Sequence, residues 1–138
     1  MTLQSLLNLI SFHKRLLNSA TNISEKISQI SKENILKIDL ISNLTEERER
    51  IVGIITTVQN EIEQEISKLP IEVVTDDLIK TFREWNENMN DKIKMINNFD
   101  QVIISNLEEK KRVTADDISN TFQNKEKFKG YNLQCVKK

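Results

Sequence analysis

Glycine and proline are almost missing from this chain: Gly53, Gly130 and Pro70 are all that 138 residues contain. These are the residues that normally mark turns, so a fold of many short strands is excluded and a few long helices are expected. Cysteine is nearly absent too. Cys135 stands alone, which rules out an internal disulfide and fits a reducing compartment. The single histidine, His13, cannot join it to make a zinc site, which takes four nitrogen or sulfur ligands. Aromatics make up 5% of the chain, so the core must be built from Ile and Leu.

No charge of one sign prevails. Twenty basic residues face twenty-one acidic ones, without the clustered basic excess that nucleic-acid binding needs, and no nucleic-acid partner is expected. The end of the chain is locally basic, through Lys125, Lys127, Lys129, Lys137 and Lys138, and reads as a solvated tail. Long apolar runs are lacking as well. The densest, Ile51–Ile55, is far short of the roughly 20 residues of a membrane span, so no membrane insertion is expected. The opening residues have no basic leader, and Gln4, Ser5 and Asn8 break their apolar pattern, which argues against a signal peptide and for a cytoplasmic location.

What is present is helical periodicity. Leu3, Leu6, Ile10, His13, Leu17, Ala20, Ser24 and Ile27 share one face, widened by Leu7, Leu16, Ile23 and Ile30, and predict a helix over residues 2–30. Ser31–Asn34 supplies turn and capping residues. A second stripe runs Ile38, Ile41, Leu44, Arg48, Ile51, Ile55, Val58, Ile62, Ile66, Leu69 and should stop ahead of Pro70. Thr75 is placed to cap a third helix, with Asp76 and Asp77 in its first turn, and the stripe continues through Leu78, Phe82, Trp85, Met89, Ile93, Ile96, Asp100, Ile103 and Leu107. Thr114–Asp117 resembles a fresh capping box, while Ile118 and Phe122 keep the earlier phase; a long third helix with a weak point near Val113 is preferred to an unbroken one. Gly130 suits a helix stop. The expected architecture is all-α: an elongated antiparallel up-down-up bundle of three long helices, with a short C-terminal helical segment and a tail. Residues 1–124 form the bundle domain and 125–138 the basic tail.

Catalytic patterns are lacking. No Glu precedes a His by three positions as in di-iron bundles, the two glycines are too far apart for a phosphate loop, and no serine sits in a Gly-x-Ser-x-Gly elbow. A pair between His13 and Cys135 would join a helix stripe to a tail, and His13 reads instead as a packing or edge residue. No enzyme activity and no cofactor are expected. Arg48 and Asp100 both occupy stripe positions. They could form a buried pair, but the preferred reading places both at the bundle rim, reaching out to water.

Apolar surface remains as the functional material. Phe82, Trp85 and Met89 lie on one face of the third helix; aromatic and Met residues are common at protein interfaces, although ordinary core is the preferred reading for these three. Phe122 belongs to the remaining aromatic set and is a further candidate for partner contact, while Phe128, Tyr131 and Leu133, in a Lys-rich tail, have less reason to be core. Three rods leave a groove into which a partner helix could lay its apolar face, with the tail either competing as a latch or serving as the binding element.

The Leu-rich opening helix, the stretch Asn34–Arg48, the stretch Ile96–Ile103 and the ending Lys129–Asn132 resemble the flagellar type III export chaperones of the FliT and FlgN kind. The resemblance implies a small cytosolic helical bundle that shields a terminal helix of a secreted flagellar subunit before export, through helices two and three and the tail. Two further readings stand beside it: a structural or adaptor coiled-coil protein that self-associates, as a homodimer for instance, and a lipid-surface protein. The last is disfavoured because the polar faces mix Glu with Lys.

Overall fold

In a computed structural model of the protein, residues 1–110 are described. They form three long α-helices: α1 (Leu3–Ser31), α2 (Ile38–Ser67) and α3 (Asp76–Glu109), with one turn of 3-10 helix at Ile71–Val73. Each is a rod of about 45–50 Å at 1.5 Å per residue. The helices begin and end where local chemistry directs. Thr2 accepts a hydrogen bond from the Ser5 amide (3.0 Å), and Thr75 accepts one from the Leu78 amide (3.2 Å), as N-caps should. Asp76 and Asp77 follow Thr75 in the first turn, at the positive end of the helix dipole. Pro70 carries an extended backbone and separates α2 from the short 3-10 turn.

The expected all-α architecture of three long helices is the one observed. Two details differ from the sequence reading. Ser31 was expected to open the linker, but it is the last residue of α1 and is fully buried. The linker therefore runs from Lys32 to Lys37, and it carries a buried Leu36, which belongs to no helical stripe. The weak point near Val113, the C-terminal helical segment and the boundary at residue 124 lie outside the described residues.

The rods run up, down and up, but they are not equivalent neighbours. α1 packs closely against both α2 and α3, whereas no Cα of α2 comes within 8 Å of one in α3. α1 and α3 are parallel: Trp85 meets His13 near their N-terminal ends, and Asn106 and Lys110 meet Ser31 at the other. α1 is thus the spine on which the other two lean. The core falls into two clusters. One, towards Pro70, gathers Leu6, Ile10, Leu17, Ala20, Ile55, Val58, Ile62, Trp85, Met89 and Ile96. The other, towards the Lys32–Lys37 linker, gathers Ile27, Ile30, Leu36, Ile41, Leu44, Ile103, Ile104 and Leu107.

Candidate partner-binding surface

Between the two clusters lies a polar layer. Ser24 of α1, Arg48 of α2 and Asp100 of α3 are all buried. The Arg48 guanidinium pairs with the Asp100 carboxylate and donates through the same Nη1 to Ser24 Oγ at 3.1 Å. Ser24 in turn donates to the Ala20 carbonyl at 2.9 Å. The preferred sequence reading, with both charges at the rim, is therefore corrected. The gap between the α2 and α3 backbones explains the outcome: an arginine is long enough to cross it and meet a carboxylate head on. Such a pair, once buried, depends on both members, because removing one leaves the other charged and desolvated.

His13 is equally buried. Trp85 Nε1–H donates to His13 Nδ1 at 3.0 Å, and the rings meet edge to face with centroids 5.5 Å apart. With Nδ1 accepting, the proton of the neutral ring resides on Nε2, which is buried and has no partner. Desolvation drives the imidazole pKa down from 6.5 to about 4, so the ring is neutral at pH 7.

The partner-binding residues named from the sequence divide into two groups. Trp85 is 4% exposed and Met89 wholly buried, so both serve the core, the reading preferred from the sequence; Phe82 is half-buried and packs against the same cluster. Phe122, Phe128, Tyr131 and Leu133 lie outside the described residues. Among the described residues, no cluster of His, Cys, Asp or Glu could hold a metal ion, and no helix is long and apolar enough to cross a membrane.

Two surfaces remain: the groove that the family resemblance implies between helices two and three, and one that the sequence reading did not single out. The first is the cleft between α2 and α3. Its crevice is lined by Leu17 from α1, Val52, Ile55, Thr56 and Gln59 from α2, and Ile93 and Ile96 from α3. Asn86, Asn90, Ile93 and Asn97 follow one another at steps of four, three and four, which places them along a single line of α3. Ile93 in the crevice shows that this line faces α2. The side-chain oxygens of Asn86, Asn90 and Asn97 are buried and accept no hydrogen bond. Buried acceptors are nearly always satisfied in folded proteins, so three along one line set this face apart. Asparagine on a helix reads as solvent-facing in a sequence, and nothing in the stripe pattern flagged these.

The second surface is the opposite flank of α3. Met95 (42% exposed), Phe99 (half-buried) and Val102 (39% exposed) stand at i, i+4 and i+7, an apolar stripe turned outward.

Compared with the models of known protein families, with characterised proteins and with solved structures, the chain matches none.

Proposed function

We propose that this protein is a carrier that holds an amphipathic helix of another protein along its α2–α3 face. In the fuller form of the proposal it is a cytosolic export chaperone, shielding a helical segment of a secreted flagellar subunit before type III export. The observation that supports the reading is the cleft itself. It has an apolar floor, two walls whose backbones stand apart, and a line of carboxamide acceptors awaiting donors. A guest helix would cover Val52, Ile93 and Ile96 with apolar side chains and offer amide or ammonium donors to Asn86, Asn90 and Asn97. An unmet buried acceptor costs about 1–3 kcal/mol, so meeting several adds to the affinity. Helix-in-groove docking of this kind uses anchors at i, i+3, i+4 and i+7.

The test is a calorimetric titration of the purified protein with an amphipathic helical peptide from the end of a secreted flagellar subunit. Thr56→Trp, which fills the crevice, should weaken binding by at least roughly tenfold, about 1.4 kcal/mol, with helicity unchanged by circular dichroism. Undiminished binding by that variant, or none by the wild type, would overturn the proposal.

The outward stripe of Met95, Phe99 and Val102 favours a second reading, an adaptor that self-associates. Sedimentation at several concentrations separates the two: a tight oligomer that a Val102→Glu substitution dissolves supports the adaptor.

A further inference from the structure

We infer that Gly53 is a notch in the α2 wall of the cleft, and that it seats a bulky apolar side chain (Leu, Met or Phe) of the guest helix. This assignment rests on the reading of the α2–α3 face as a docking surface, to which it adds the contact that selects the guest.

Gly53 is out of place in its own fold. It is the only glycine among the described residues, and it stands near the middle of α2. Inside a helix glycine is less favourable than alanine, because it gives up more backbone freedom on folding and has no side chain to pack. A positive φ, or a neighbour that leaves no room for a methyl group, would account for it. Neither applies. Gly53 lies within regular α-helix, and a Cβ added there would meet nothing within 4 Å. Nothing in the bundle requires that space to stay empty.

The position of the gap ties it to the cleft. Val52, one residue before, and Thr56, three residues after, both line the crevice. At 3.6 residues per turn Gly53 lies about 60° beyond Thr56, on the shoulder that a helix laid over the crevice touches. Neither α1 nor α3 contains a glycine. The gap thus occurs once in the three rods, at the level of the crevice.

The rim of the gap defines what fits. Helical side chains lean towards the N-terminus, so Thr56 and Thr57 lean over the turn that holds Gly53. Thr56 Oγ1 donates to the Val52 carbonyl at 3.0 Å, and Thr57 Oγ1 to the Gly53 carbonyl at 3.2 Å. With both hydroxyls turned back to the helix, the threonines offer their methyl groups to a partner. On the other side stand the longer Glu49 and Arg50. Packed helices keep their axes about 8–10 Å apart, and these flanking side chains hold a guest's backbone at that distance. What reaches the gap is a side chain, as a knob enters a hole. A small residue would leave the gap empty, and a charged one would face methyl groups; a large apolar one fills it.

The test is the same titration of the full-length protein with the amphipathic helical peptide. Gly53→Ala should raise the melting temperature by about 2–4 °C, because helix propensity improves and the new methyl group strikes nothing. The same variant should bind the peptide about threefold more weakly, and Gly53→Leu about fiftyfold more weakly, as overfilled contacts do. Replacing the peptide's large apolar residues by Ala one at a time should identify one position whose truncation weakens binding to the wild type and restores binding to Gly53→Leu. A glycine with only a structural role cannot give that reciprocal rescue. Undiminished binding by both Gly53 variants, while Thr56→Trp still weakens it, overturns the notch and leaves the carrier reading standing. Weakening that no truncated peptide rescues overturns it as well, as does a fall in melting temperature with Gly53→Ala. A peptide that the wild type does not bind overturns both readings.

Discussion

The bundle has two halves divided by the Ser24–Arg48–Asp100 layer, and they treat polar groups differently. Towards the linker, the polar groups are tied. Ser31 Oγ accepts from Asn106 Nδ2 at 2.9 Å, the Ser31 carbonyl accepts from Lys110, and Leu36 folds in from the linker to close the apolar cluster. Towards Pro70, polar atoms are left over: His13 Nε2 and the oxygens of Asn86, Asn90 and Asn97, beside the crevice at Leu17, Val52 and Ile93. The core residues are as well buried in one half as in the other. The difference lies in whether the side-chain amides of α3 have found partners: Asn106 meets Ser31 of α1, and the oxygens of Asn86, Asn90 and Asn97 meet none. The tied half holds the rods together, and the other has the free valences that recognition can use.

The comparison breaks most visibly at the dividing layer. Arg48→Met or Asp100→Leu alone should cost about 3–5 kcal/mol, read from urea denaturation, because each strands a buried charge; the double variant should recover most of that loss. Single variants costing under about 1 kcal/mol would mean that water reaches the pair and the halves are not separated.

His13 sharpens the description of the looser half. Its folded pKa of about 4 lies below the unfolded 6.5, so between these values the unfolded chain binds the extra proton. Stability therefore rises with pH from about 4 to 6.5 and is lost as pH falls through that window, by up to about 3 kcal/mol. The difference between wild type and His13→Leu, measured at pH 7 and again at pH 4.5, isolates this part. A pH-independent difference would mean that His13 reaches solvent.

The smallest effect is the most discriminating, since one substitution is predicted to have opposite signs in the two halves. Asn106→Leu removes a hydrogen bond and should cost about 1 kcal/mol. Asn90→Leu removes an unmet acceptor and should be neutral or stabilising by up to about 1 kcal/mol, while weakening client binding. Equal costs at both sites would erase the distinction.

Much of the fold was legible because long helices announce themselves: the stripes, the Thr75 cap and the Pro70 break each depend on local chemistry. Arg48 and Asp100 were visible as polar interruptions of those stripes, but their burial depends on how far apart α2 and α3 stand, which no periodicity encodes. Leu36 escaped notice for a related reason. A lone apolar residue in a linker has no period, and only the tertiary fold provides its pocket. The asparagine line was missed because helical asparagine is most often solvated; its meaning comes from the facing residues of α2. For Phe82, Trp85 and Met89, apolar character could not separate core from interface, and packing assigned Trp85 and Met89 to the core.

Arg48 and Asp100 are the only buried charges among the described residues, so α2 and α3 meet in a single registration. Sliding α3 by one turn would put Ile96 or Ile103 opposite the guanidinium and leave Asp100 facing hydrocarbon. Any opening that admits a guest must therefore be a swing of the Pro70 ends about that fixed point, with axial travel forbidden.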